Sequence, residues 1–219
     1  MENSKKNILC FGGNSFLAKA FNDLFGKEYN ILNVYRSSGK GLYLDFDKEL
    51  DASRFASGIS VKIDSIIFFQ GINPSVGLED MSSDHFSKML KVNLIMPTMI
   101  VKALKNKINK SGLVIFFSSI AKNKGSYDPS YAAAKSAILG LVQSLANQCP
   151  EIRFNILSLG LVEGSPVHMG MTPDFVKRHT DKMFQGKLIK KEDVIKVIDE
   201  LIRNESINRS EISLDGGYL

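Results

Sequence analysis

Tyr131 and Lys135 stand four residues apart in the run Ser130-Tyr131-Ala132-Ala133-Ala134-Lys135. On a helix this spacing projects both side chains from one face. A phenol beside an ammonium is an acid–base pair. Tyrosine ionises at about 10, so proton transfer near neutral pH needs that value to fall by ~2–3 units, roughly 3–4 kcal/mol. An ammonium about 4 Å away supplies that much at an effective dielectric of ~20. The spacing is common, and by itself it usually marks a tyrosine on a packing helix. Here it belongs to an ordered set. Gln70-Gly71, Val92-Asn93-Leu94 and Ser118-Ser119 precede it; Leu159-Gly160-Leu161-Val162 and Leu214-Asp215-Gly216-Gly217 follow.

A second signal is the turn Phe11-Gly12-Gly13-Asn14-Ser15-Phe16-Leu17-Ala18. It joins an apolar run over 7–11 to a helical pattern over 15–24. A glycine turn at a helix N-terminus brings backbone N–H groups to a pyrophosphate. Gly12 and Gly13 suit the tight turn, and Ser15 and Ala18 are small enough for close approach. The full glycine fingerprint is absent, so an ordinary strand–helix turn is an equal reading of this segment alone. The next apolar run ends Val34-Tyr35-Arg36-Ser37-Ser38. An Asp or Glu there would bind ribose hydroxyls. Arg36 with the two serines suits a 2′-phosphate instead, which points to NADP rather than NAD. Asp45 is a candidate for the adenine edge and equally a turn residue.

A scaffold must position these groups. Apolar runs at 7–11, 30–35, 42–44, 65–69, 113–117, 153–157 and 212–214 alternate with helical patterns at 15–24, 82–107, 130–147 and 191–203. Apolar runs bounded by Gly, Ser and Pro suit strands buried on both faces, and the alternation predicts a parallel sheet covered by helices. Ligands of such sheets bind past the carboxyl ends of the strands. Pro97 is expected to bend the 82–107 stretch.

The chain has 219 residues, 44% apolar and 23% charged, enough for one well-buried core. No repeat or linker divides it, so one domain over 1–219 is the expectation. Two cysteines exclude a disulfide framework and favour a reducing compartment, the cytoplasm. His85, His168 and His179 stand apart among polar neighbours without metal-ligand spacing. No apolar run reaches the ~18 residues of a membrane span. The net charge of +5 allows an anionic ligand. Lys102, Lys105, Lys107 and Lys110 read as a solvated helix end; a nucleic-acid patch would want interleaved aromatics.

With these motifs in order, the sequence from 7 to 219 resembles the short-chain dehydrogenase/reductase family, in its short single-domain branch. The resemblance implies an α/β fold with a Rossmann-type doubly wound parallel sheet of about seven strands. It implies an NADP(H)-dependent oxidoreductase that interconverts a ketone and a secondary alcohol. It also implies four catalytic residues, Asn93, Ser119, Tyr131 and Lys135. Tyr131 would be the general acid/base. Lys135 would lower its pKa and hold the nicotinamide ribose. Ser119 would orient the substrate oxygen, and Asn93 would hold a water linking Lys135 to solvent. Motif matching selects Ser119, whereas the common spacing back from Tyr131 selects Ser118. We prefer Ser119, because the loop over 122–128 absorbs a deletion more easily than a strand end does.

The implied cofactor contacts are Gly12, Asn14, Ser15, Phe16, Leu17, Arg36, Asp45, Gln70, Gly71, Tyr131, Lys135, Gly160 and Val162. Several positions depart from the family pattern. Gln70-Gly71-Ile72 replaces Asn-Ala-Gly, Leu159-Gly160 replaces Pro-Gly, and Gly164 (with Ser165 beside it) replaces a threonine. The stretch 161–186, with Met169, Met171 and Phe175, is expected to be a substrate lid, with His168 exposed. A homodimer or homotetramer is implied, with a small carbonyl or alcohol substrate and no nucleic-acid or membrane partner. The altered glycine turn keeps a second reading open, a non-catalytic, cofactor-sensing protein on the same fold. A sugar-nucleotide epimerase would need a C-terminal substrate domain, for which too little chain follows Gly160.

Overall fold

Ile8, Leu9, Cys10 and Phe11 are all buried, as a strand covered on both faces requires. This strand, β1 (Asn7–Phe11), pairs in parallel with β2 (Asn30–Tyr35) on one side and with β4 (Ile63–Phe68) on the other. The computed structural model describes residues 5–36, 41–46 and 52–218; Ser37 and Ser38, expected beside Arg36, lie outside them. Beyond β2 comes β3 (Leu42–Tyr43), and beyond β4 come β5 (Ile108–Ser119), β6 (Arg153–Leu159) and β7 (Glu211–Leu214). The sheet has seven strands in the order β3-β2-β1-β4-β5-β6-β7, every pair parallel. The chain runs outward from β1 to β3 and then returns to β4. The crevice past the ends of β1 and β4 is therefore the switch point of the sheet.

Alternation along the strands feeds two apolar layers. Leu9 and Phe11 face α2 (Ala52–Ser57), α4 (Met96–Leu104) and α6 (Pro129–Gln148), packing with Ile100, Leu104, Ile138 and Val142. Ile8 and Cys10 face α1 (Phe16–Phe25) and α9 (Lys191–Arg203), packing with Phe21, Val194, Ile198 and Leu201. The doubly wound α/β fold expected from the alternating pattern is thus present.

The 82–107 stretch is not one bent helix. It divides into α3 (Ser83–Leu90), a π-helical turn (Lys91–Ile95), α4 and a 3-10 turn (Lys105–Lys107). The break therefore precedes Pro97, which occupies the first turn of α4. Lys107 also leaves the solvated cluster, because its ammonium donates to the Ala56 and Ile59 carbonyls at the end of α2. The 161–186 stretch contains α7 (Pro166–Met169) and α8 (Pro173–Thr180), and the short α5 (Ala121–Lys124) follows β5. Among the described residues no helix is long and apolar enough to cross a membrane.

Arg153, at the start of β6, is a buried cation with a structural task. Its guanidinium donates to the carbonyls of Ser111 at 3.0 Å, Leu201 at 3.0 Å, Asn204 at 3.1 Å and Ile207 at 3.2 Å. It thereby ties the end of α9 and the segment after it to the sheet. Arg153→Leu removes all four hydrogen bonds, although Asn155 Nδ2 still reaches the Ile207 carbonyl and Ile207 N–H the Asn204 carbonyl, and we expect a loss of about 2–4 kcal/mol in the free energy of urea unfolding.

Candidate active site

Helix α6 begins where Asp128 accepts hydrogen bonds from the Ser130 and Tyr131 N–H groups and Pro129 occupies the first turn. Asp followed by Pro is a strong helix start, since the carboxylate fills the open donors and proline has none to waste. That start sets Tyr131 and Lys135 on the face of α6 turned to the end of β5. Lys135 is 5% exposed. Its Nζ donates to the Phe117 carbonyl at 2.8 Å and lies 5.6 Å from the centre of the Tyr131 ring. The two serines ending β5 point differently. Ser119 is hydrogen-bonded to the Tyr131 side chain and accepts from Ala121 N–H at 3.2 Å. Ser118 is buried and donates to the Lys135 carbonyl at 3.0 Å. The serine facing Tyr131 is Ser119.

Asn93 lies in the π-helical turn and is 4% exposed. Such turns often occur at functional sites. Its Nδ2 donates to the Ile72 carbonyl at 3.1 Å and the Met89 carbonyl at 3.1 Å, and its Oδ1 accepts from Ile72 N–H at 3.4 Å. The side chain is therefore committed to the segment after β4 and to Met89, which leaves the backbone carbonyl as the group of Asn93 free to hold the expected water. Pro97, four residues on, has no N–H to give the Asn93 carbonyl. A Cβ built on Gly71 would lie 3.1 Å from Asn93 Oδ1 and 3.8 Å from Lys135 Nζ. The amide oxygen and the ammonium thus converge on one glycine at the end of β4.

Burial dominates the electrostatics of both groups. Burial pushes the Tyr131 phenol above its ordinary value, and the Ser119 hydrogen bond offsets only part of that rise. Burial acts on the lysine as well and brings its ammonium down to about 8. Desolvation favours the neutral form of each group. The Asp128 carboxyl is also pushed up by burial, but hydrogen bonds from Ser130, His85, Tyr131 and Val76 bring it below the usual value.

A cleft of about 380 Å³ opens at the switch point. Gly12, Gly13, Asn14, Ser15, Arg36, Gln70 and Gly71 line it, with Phe11, Val34, Leu44, Phe46 and Val92 as apolar walls. Gly12 has φ +80°, and a Cβ there would lie 2.8 Å from the Gln70 nitrogen. Only glycine fits this close approach of β1 to β4. The Gly12 and Gly13 N–H groups both donate to the Val34 carbonyl at 3.0 Å. The Ser15 hydroxyl caps α1 by accepting from Ala18 N–H. The first-turn N–H groups of Phe16 and Leu17 have no intrahelical acceptor and remain for an anion. Among the described residues, the buried Gln70 Oε1 has no hydrogen-bond partner. These residues fit a dinucleotide: a helix start for phosphate, apolar walls for adenine, Arg36 at the rim and an orphaned acceptor for a hydroxyl.

Some expected contacts stand outside the cleft lining. Asp45 is buried between Leu44 and Phe46. Gly160 packs against Ile189 and Asp215, and Val162 forms a bridge to Ile189. The Phe16 ring reaches the lid, 3.5 Å from a Cβ built on Gly164. His168 is half-buried rather than exposed, and its Nδ1 accepts from Gly164 N–H at 3.0 Å. The other histidines also have tertiary neighbours. His179 sits between the Phe175 and Tyr218 rings, and His85 pairs with Asp128. Leu44, Phe46, Val92 and Asp128 were not assigned to the site from the sequence. Only Asp128 carried a local signal there, as the cap before Pro129.

A family model described as Enoyl-(Acyl carrier protein) reductase matches residues 45–219. The chain is 34% identical over 110 residues to dehydrogenase/reductase SDR family member 4 of Pongo abelii. That match covers 47% of this chain and 39% of the relative, so the chain matches about two-fifths of that relative's length. Among solved structures, a glucose/ribitol dehydrogenase of the short-chain dehydrogenase/reductase type from Brucella melitensis superposes with TM-score 0.87 at 19% identity. It covers 98% of this chain and 97% of that one. A small-chain dehydrogenase solved in complex with NADPH superposes with TM-score 0.85 at 20% identity, covering 98% of each chain. At these identities the likeness is one of fold.

Proposed function

Because the chain belongs to the short-chain dehydrogenase/reductase family, we propose that it is an NADP(H)-dependent oxidoreductase interconverting a ketone and a secondary alcohol. The observation that carries this reading is the convergence of Ser119, Tyr131 and Lys135 beside Gly71, at the switch point where the glycine-lined cleft begins. When bound, the nicotinamide dinucleotide supplies or accepts the hydride. The chain's own residues do the rest. The Phe16 and Leu17 N–H groups hold phosphate, Arg36 holds the 2′-phosphate, and Gln70 Oε1 accepts from a hydroxyl. Asp45, Gly160 and Val162 shape the ends of the cofactor site.

In the reducing direction, Ser119 donates a hydrogen bond to the carbonyl oxygen. Tyr131 Oη then gives its proton to that oxygen as the carbon receives hydride. Burial suits Tyr131 to this direction, since its raised pKa keeps the phenol protonated at neutral pH. Lys135 holds a ribose hydroxyl and passes a proton back to Tyr131. A water on the Asn93 carbonyl connects Lys135 to solvent. The 161–186 stretch acts as the lid, with Met169 and Phe184 largely exposed and available to a substrate. The exposed Ile95, Met99 and Leu139 on neighbouring helices support a homo-oligomer. The two free cysteines support a reducing compartment, the cytoplasm.

Titration with NADPH and NADH, followed by nicotinamide fluorescence, tests the cofactor half. We expect NADPH to bind more tightly, and Arg36→Ala to weaken NADPH about tenfold while barely changing NADH, the loss of one charge-assisted contact. Equal weakening of both cofactors would remove the 2′-phosphate role. NADPH binding without turnover of any ketone or aldehyde would favour the cofactor-sensing reading.

A further inference from the structure

Asp128 is fully buried, and its two oxygens face different elements. Oδ1 accepts from Ser130 N–H at 3.0 Å, Ser130 Oγ at 2.5 Å and Tyr131 N–H at 3.2 Å, all at the start of α6. Oδ2 accepts from Val76 N–H at 3.3 Å and meets His85 Nε2 at 2.8 Å. His85 belongs to α3, the helix that runs into the Asn93 turn, and Val76 belongs to the segment after β4 that Asn93 holds through Ile72. A helix cap needs only one of these oxygens. A buried carboxylate whose second oxygen is spent on a histidine 43 residues away does more than end a helix. It joins the three elements that carry Tyr131, Asn93 and Gly71.

We propose that Asp128 and His85 are a positioning pair for Tyr131, an inference that rests on reading Tyr131 as the proton donor. His85 holds Oδ2 against α3, so the start of α6 cannot rotate or slide relative to the Asn93 turn. Tyr131 is three residues past the carboxylate, and its Oη position follows from that lock. Neither residue touches the reacting atoms. Their effect reaches the reaction through the Tyr131 backbone, which one oxygen of the pair holds directly.

Asp128→Asn separates the two halves. The amide oxygen can still cap Ser130 and Tyr131, but an NH₂ replaces the oxygen that accepts from Val76 and His85. His85→Phe removes the partner and leaves the cap intact. We expect each variant to lower kcat about tenfold with NADPH Kd within twofold of wild type. A displacement of about 1 Å at a reacting group costs up to 10²-fold. The double variant should lose no more than the worse single one. The Tyr131 signal in ¹³Cζ-tyrosine-labelled protein, assigned with Tyr131→Phe, should move in both variants. If neither kcat nor that signal changes, if His85→Phe alone changes nothing, or if the losses multiply, the pair is overturned. Should the wild type reduce no carbonyl, the proposed function fails, and the Tyr131 signal still decides the pair.

Discussion

Tyr131→Phe is expected to lower carbonyl reduction about 10³-fold in kcat, with NADPH affinity kept within a factor of about two. The size follows from a positioned general acid, worth roughly 10²–10⁴ in rate. The substitution removes one oxygen and leaves the ring, which keeps its packing beside Lys135 at 5.6 Å. Ser119 loses its side-chain partner but retains the Ala121 N–H. Burial holds the phenol above its ordinary pKa, so the active, protonated form persists through neutral pH. Wild-type reduction should therefore stay level up to about pH 8, decline as the Lys135 ammonium that returns the proton is lost, and fall further as alkaline pH strips the phenol. The variant should lack that alkaline limb. A kcat within tenfold of wild type would mean that another group, or water, delivers the proton.

Local pattern carried much of the scaffold and part of the site. The bounds of β1 and β2 match the apolar runs over 7–11 and 30–35, and α9 matches the 191–203 pattern. There the burial pattern repeats in the residues themselves, and Gly12 marks the end of β1. The two helices of the 161–186 stretch were legible in principle. Ser165-Pro166 and Thr172-Pro173 are both a capping hydroxyl followed by a first-turn proline, and both hydroxyls do cap. Their short length and their glycines and methionines hid them. Two features had no local trace. The His85–Asp128 pair joins elements that meet only in the fold. The pKa of Tyr131 depends on burial, which spacing does not encode. The distance between Tyr131 and Lys135 in the chain could be read as a charge effect, whereas the folded site subjects both groups to the same desolvation.

That desolvation makes Lys135→Met the sharper test, because activity and stability should move in opposite directions. Lys135 titrates at about 8 rather than 10.5 because burial disfavours its charge. At about 1.4 kcal/mol per pH unit, keeping the ammonium in the fold at pH 7 costs about 3 kcal/mol. Methionine has similar length and no charge, but it leaves the Phe117 carbonyl without the donor now at 2.8 Å. That loss returns about 1 kcal/mol. The variant should therefore unfold in urea with about 2 kcal/mol more stability than wild type at pH 7. The sign with pH follows from proton binding. Between about 8 and 10.5 the unfolded chain holds the Lys135 proton and the folded one has released it, so wild-type stability rises with pH across that window. The variant has no such proton, so its advantage should close near pH ~9.5 and become a deficit of about 1 kcal/mol by pH ~10.5. Turnover should fall about 10³-fold below pH 8, where the wild type keeps the ammonium that returns the proton to Tyr131, and the gap should narrow above it. A variant no more stable than wild type at pH 7 would show that Lys135 carries its charge at little cost. The lysine would then be an ordinary member of the core edge rather than a group held at the expense of the fold.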